Sequence, residues 1–439
     1  MTKNASQVAS FNIQNHMPIG RFVMISGLSF FGMASHVLAQ STPGLPDPLR
    51  SNSGAHITTV AEWQRVRRPE LIELFTSQLY GRAPGKPASM TFRVFDTDAT
   101  ALGGKATRKQ VAIYINGKPD GPRIDVLLYI PNRVRGPVSA IVGLNFWGNH
   151  SINADPGIRI TTSYLETGKN NPYVDLGCVT DNRATEACRG INARQWPLDS
   201  ILNRGYALVT AYREDIASDV PATRFSTGFH TVYPDWQNRP DNFGTIAAWA
   251  WGLSRIMDYL QTDRAIDGKR VAVFGWSRLG KAALWVGATD ERFAAVLSNE
   301  SGSGGAKLFR RGQGESIRRL CTVFPHWYSN NFRQYMDKDT LLPFDQHEVL
   351  ALLAPRPVYI ASAEQDKGAD PIGEFESAKA ASAVYQLFGR DGLPTTTLPP
   401  LNTSVQGTIG YHIRTGGHDV INLDWHYFLQ FLDTHFKKK

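Results

Sequence analysis

Residues 271–284 read VAVFGWSRLGKAAL: an apolar run, then Gly275, Trp276, Ser277, Arg278, Leu279 and Gly280, then small residues suited to a helix. A serine hydroxyl is a poor nucleophile, so a protein that uses one must hold it at a tight strand-to-helix turn within reach of a base. Gly275 and Gly280 are the flanking residues such a turn requires, because side chains there would collide across it. The helix opening after Ser277 offers free backbone N–H groups and a positive dipole end to a developing oxyanion. The pattern predicts a nucleophile elbow with Ser277 as the candidate nucleophile. The plainer alternative is a serine in an ordinary strand–helix turn.

Such a serine needs an imidazole beside it and a carboxylate to orient that imidazole, in the chain order serine, acid, histidine. Of the eleven histidines, His418 stands out, since Gly416 and Gly417 precede it and a helix opening at Asp424 follows. His412, in a strand-like run, and His426, on the helix itself, are its rivals. Two carboxylates compete for the third place. Asp366 follows a predicted strand at 357–362, whereas Glu300 ends a buried strand and opens a Gly/Ser segment, where an unpaired glutamate would be costly. Spacing leaves that choice open. Arg278, directly after the serine, supplies a backbone N–H and a guanidinium as candidate oxyanion donors, although by residue type alone it could equally form a surface salt bridge. Lys281 lies one helical turn beyond Ser277, on the same face.

The elements that must position these residues can be read from periodicity. A helix is predicted at 61–80, closed by Tyr80, Gly81, Arg82 and Pro84, and strands at 91–95, 109–115, 124–130 and 139–144. A long polar stretch without clear period then runs to about residue 194. Beyond it come helix 198–204, strand 207–212, helix 245–260, strand 270–274, the elbow helix, strand 294–298, helix 344–353, strand 357–362, helix 371–387 and a last helix, 424–436. Strands alternating with helices build a parallel sheet covered on both faces, with ligands bound at the carboxyl ends of its strands. The expectation is a single catalytic domain spanning 40–439.

At 439 residues, 42% hydrophobic and 20% charged, the chain has ample material for a large core. Residues 1–39 differ from the rest: Lys3 and Arg21 are their only charged groups, 22–39 is largely apolar, and Val37, Leu38 and Ala39 form a small-residue exit. This reads as a secretory signal ending near Ala39, hence a secreted or periplasmic protein, the alternative being an uncleaved anchor. Removal of such a leader, with Lys3 and Arg21, lowers the formal net charge from +8 to +6, a mild excess that suits an acidic polysaccharide, while the absence of a basic stripe interleaved with aromatics disfavours nucleic acid. Of three cysteines, Cys178 and Cys188 are close enough to pair in an oxidising compartment, leaving Cys321 over. No CxxC or HExxH spacing occurs, so neither a metal nor another cofactor is expected.

Five segments together carry a family resemblance: GWSRLGK around the serine, NESGSGG at 299–305, FDQHEVLALLAPRP at 344–357, GLNFWGNH at 143–150 and GGHD at 416–419. In their joint occurrence, from about Trp63 to the last helix, the chain resembles the glucuronoyl esterases, the bacterial branch in particular. The resemblance implies a three-layer α/β hydrolase with a central, mostly parallel sheet. It implies cleavage of 4-O-methyl-glucuronic acid esters in glucuronoxylan, including those to lignin alcohols. It also implies Glu300 as principal acid with Asp366 as second partner, Arg278 in the oxyanion site, and Lys281 and Glu315 on the sugar hydroxyls. Plainer readings are a surface Lys281 and a Glu315 paired with Arg310 or Arg311.

The expected partners are glucuronoxylan or lignin–carbohydrate fragments, with no nucleic acid, no membrane after leader removal, and a monomeric state. Rival readings are an acetyl xylan or other carbohydrate esterase and a weakly catalytic glycan-binding protein. The chain departs from the family in two places. Trp276 and Asp419 stand where many relatives have a disulfide, and the family's DxW segment reads Asp366, Lys367, Gly368, without the tryptophan that stacks on the sugar. Trp147 and Trp327 are candidate replacements for it.

Overall fold

The computed structural model describes residues 44–166 and 177–437. All described residues belong to one compact unit. The expected leader lies outside the described residues. No helix among these is long and apolar enough to cross a membrane.

Ten strands make one sheet: β1 (Thr91–Asp98), β2 (Ala106–Tyr114), β3 (Arg123–Pro131), β4 (Val138–Asn145), β5 (Ala207–Tyr212), β6 (Ile266–Trp276), β7 (Ala295–Asn299), β8 (Val358–Ala363), β9 (Thr403–Val405) and β10 (Ile409–Arg414). Their order across the sheet is β1-β2-β3-β5-β4-β6-β7-β8-β10-β9. The run from β5 to β10 is parallel, because helical crossovers join its strands. Short connections make β1, β2 and β3 an antiparallel extension at one edge, and β9 another at the opposite edge.

Alternation along the central strands separates two cores. Val271 and Val273 of β6 and Val296 of β7 pack with α2 (Thr245–Leu260), α3 (Arg278–Thr289) and α4 (Pro371–Leu387). Ala272, Phe274 and Leu297 pack on the other side with α1 (Leu198–Asn203) and α5 (Asn422–Phe436). Both faces are therefore covered, which is why these strands read as continuous apolar runs. Each large aliphatic or aromatic side chain so buried contributes about 1.5–3 kcal/mol.

The predicted first helix is helical throughout residues 60–80, with π-type turns at Trp63–Arg67 and Thr76–Tyr80. The helix expected at 344–353 contracts to His347–Ala351. Asp345, just before it, is fully buried and accepts the N–H groups of Phe309 and Arg310, so its segment serves a loop rather than a helix. In the polar stretch Cys178 and Cys188 form a disulfide with their Cα atoms 4.9 Å apart, and Cys321 is free and buried. A short helix at Ile317–Val323, capped by the Ser316 hydroxyl, was not foreseen.

Candidate active site

β6 delivers Ser277 to the start of α3 with φ 57° and ψ −131°, a conformation that non-glycine residues adopt only under strain. Of the two flanking glycines, Gly275 is sterically required and Gly280 is tightly packed. A Cβ at 275 would lie 2.1 Å from the Leu279 carbonyl oxygen, and one at 280 would meet Ser301 Cβ at 3.0 Å and the Gly275 carbonyl at 3.1 Å. Arg278 occupies the first helical position, whose N–H has no intrahelical acceptor. Asn299 couples this turn to the histidine loop: its carbonyl accepts the Ser277 N–H at 2.9 Å and its side-chain amide donates to the Asp419 carbonyl at 2.8 Å.

His418 sits in the loop between β10 and α5, its ring centroid 5.3 Å from that of Trp276. Its Nδ1 faces both candidate carboxylates, Asp366 Oδ2 at 2.6 Å and Glu300 Oε2 at 3.0 Å. The facing atoms of these three side chains, one from each, all lie within 4.8 Å of one another. The two acids are in unlike surroundings. Burial pushes Glu300 up to about 7 against the opposing His418 hydrogen bond and Arg414 charge. Burial also works to raise Asp366, but the hydrogen bond and charge of His418 outweigh it and hold that carboxyl below its usual range. For His418 burial favours the neutral ring, yet the hydrogen bonds to Asp366 and Glu300 prevail and lift it to about 9. The rivals are elsewhere: His412 is buried between Asp424 and Tyr359, and His426 is exposed on α5.

The Arg278 guanidinium is held by Asp219, with Nη1 donating to Oδ2 at 2.6 Å, and lies 4.8 Å from the Trp327 ring centroid. Asp219 also pairs with Arg213 and accepts the Trp327 indole N–H at 2.7 Å. Lys281 is 3% exposed, and its Nζ donates to the Ser303 carbonyl at 2.8 Å and to Glu315 Oε2 at 3.0 Å. The plainer readings of these two residues therefore fail. Lys281 is not on the helix surface, and Arg310 and Arg311 pair with Asp345 and Asp370 instead of Glu315. Trp327 does not replace the absent aromatic platform: it is 2% exposed, Phe324 stacks on it at 3.8 Å, and Arg278 and Lys281 lie against it. Trp147 is half-buried and packs in the small cluster that includes both disulfide cysteines.

Three residues that sequence reasoning did not single out organise the site. Asp219 is the first. The second, Arg414, is fully buried on β10. One of its nitrogens donates both to Glu300 and to the Asp419 carbonyl, another donates to the Gly417 carbonyl, and Nε faces Asp424 at 3.0 Å. The third, Glu374 of α4, is 0% exposed and accepts from the Gly302 N–H at 3.0 Å and the Ser362 hydroxyl at 2.6 Å. It joins the loop after Glu300 to the strand before Asp366. An arginine ending an apolar strand and a glutamate within an apolar helix face are the signals that would have marked the last two; Asp219 has none.

The family described as "Glucuronyl esterase, fungi" matches residues 182–389. A carbohydrate esterase of an unidentified prokaryote is 46% identical over 397 residues, covering 89% of each chain. Two solved bacterial structures superpose over 89% of this chain and 97% of their own. One is a promiscuous family 15 carbohydrate esterase from a marine bacterial metagenome (44% identity, TM-score 0.82), the other a glucuronoyl esterase from Solibacter usitatus (41%, 0.83). Likeness of this extent at this identity, on a doubly covered sheet with an elbow serine, places the fold among the α/β hydrolases, and the chain belongs to the glucuronoyl esterase family of carboxylic ester hydrolases.

Proposed function

We propose that this protein hydrolyses esters of glucuronic acid, including its 4-O-methyl form in glucuronoxylan and its esters to lignin alcohols, through an acyl-enzyme on Ser277. The observation that carries the reading is the orientation of His418. With Nδ1 given to Asp366 and Glu300, Nε2 is the nitrogen left to take the Ser277 proton and return it to the departing alcohol. Ser277 Oγ attacks the ester carbonyl, and the resulting oxyanion is met by the Arg278 N–H and guanidinium. Water, deprotonated by the same imidazole, then releases the acid. Lys281 and Glu315, bound to each other one turn from the serine, bind the hydroxyls of the uronate ring. Glu300 and Asp366 share the work of orienting His418.

The protein acts as a monomer outside the cytoplasm, secreted or periplasmic. The character of residues 1–39 and the Cys178–Cys188 disulfide support that location. The test is hydrolysis of benzyl glucuronate beside a plain acetyl ester, by the mature protein and by Ser277→Ala. Strong turnover of the glucuronate that vanishes in the variant is expected. Preference for the acetyl ester would redirect the substrate class while leaving the fold in place.

A further inference from the structure

Beside Glu315 the surface opens into a groove of about 760 Å3 whose lining includes Arg311, Gln313, Arg319, Lys367 and Ile372. It begins where the candidate reaction centre ends. Glu315 lines it while holding Lys281, and the Glu315 N–H is bound to the Gly368 carbonyl at 3.0 Å, two residues beyond the Asp366 that orients His418. The two backbones approach closely here, since a Cβ on Gly314 would lie 2.3 Å from that same Gly368 oxygen. Its charges do not cancel. Arg311 is taken by Asp370 at 2.8 Å and Glu315 by Lys281. Arg319 and Lys367 are exposed and have no carboxylate within 4.0 Å among the described residues. The Lys367 ammonium donates to the Glu364 carbonyl at 3.0 Å, which fixes its position without neutralising it.

An esterified uronate carries no charge, so the sugar being cleaved gives the protein no anion to attract. Unesterified acidic sugars of the same chain do. We propose that this groove is a subsite for a neighbouring sugar that bears a free carboxylate, recognised by Arg319 and Lys367, with Ile372 beneath the ring. This rests on the uronate-esterase reading above. It makes the preferred substrate a glycan dense in acid groups, of which one is esterified. Arginine suits a carboxylate through its planar pair of donors, and at an exposed site the attraction is weakened by salt.

The experiment compares two xylo-oligosaccharides that each carry one methyl-esterified glucuronate, one with and one without a second, free glucuronate. Steady-state rates are measured for the native protein and the Arg319→Ala/Lys367→Ala variant at low and high salt, with benzyl glucuronate as a further substrate. The native protein is expected to prefer the doubly acidic substrate by about tenfold, expressed in KM and lost at high salt. In the variant the ratio between the two substrates is expected to fall to about one. Equal rates on both by the native protein, or a preference that survives in the variant, would overturn the subsite alone. Absence of benzyl glucuronate turnover by the native protein would overturn the esterase reading and the subsite with it.

Discussion

Asp219 Oδ2 accepts from Arg278 at 2.6 Å and also from Arg213, while its Oδ1 accepts the Trp327 indole at 2.7 Å. One buried carboxylate thus fixes the guanidinium beside the elbow and neutralises part of two cations at once. Asp219→Asn keeps the shape and removes the charge. We expect kcat on benzyl glucuronate to fall about tenfold or more with a smaller change in KM, and Arg278→Ala to cost about 10²–10³ in kcat. A normal kcat in both variants would remove Arg278 from the transition state.

Two carboxylates on one imidazole predict redundancy. Glu300→Gln or Asp366→Asn alone leaves His418 one oriented partner, so the two single losses multiplied together are expected to fall short of the double change, which approaches about 10⁴-fold in kcat. Additive losses, each as large as the other and independent, would contradict sharing of Nδ1.

The pH profile follows from the same contact. Hydrogen bonds to the two acids outweigh burial and lift His418 to about 9, and in the proposed mechanism only a neutral imidazole can take the serine proton. In the free enzyme kcat/KM should therefore rise with pH towards about 9. Asp366→Asn removes one of the groups that stabilise the imidazolium, so the rising limb should move to lower pH while the plateau falls. The stabilising part of this interaction is present in full below the unfolded histidine value and is lost as pH rises through the folded one. Unfolding midpoints taken from pH 6 to 10 would show that decline in the native protein and a shallower one in Asp366→Asn.

Arg414 satisfies Glu300 and two carbonyls of the histidine loop from a position with almost no solvent exposure. Arg414→Met leaves Glu300 without its buried cation. We expect a loss of about 3–5 kcal/mol in denaturant-induced unfolding, together with loss of activity from a displaced His418.

Glu374 separates geometry from charge. Burial pushes this carboxyl up to about 8, opposed by the Ser362 hydroxyl and Gly302 N–H. Glu374→Gln keeps the size and an acceptor for Gly302, so it should retain most of the stability and rate. Glu374→Ala, which unlinks the loops bearing Glu300 and Asp366, should lower kcat more than it raises KM. Equal behaviour of the two variants would assign Glu374 to packing only.

Much of the frame was legible because the parallel strands are buried on both faces: β5, α2 and α4 lie at their predicted residues. The elbow was legible for a related reason, since the contact that demands Gly275 is with Leu279 in the same turn, whereas Gly280 also meets Ser301 from another loop. The pairing of Lys281 with Glu315, the sharing of His418 by two acids, and the network on Asp219 join segments tens to hundreds of residues apart, and no local pattern records such contacts.

The sequence by itself determined the secondary structure of the core, the strained serine and the residue types of the site, because hydrophobic periodicity and steric demand act over a few residues. Only the tertiary structure decided which acid meets His418, what restrains Arg278, and that Trp327 is part of the buried support rather than a surface for sugar. Those outcomes depend on sheet order, which brings β7, β8 and β10 side by side and sets their loops within hydrogen-bonding distance at a single edge.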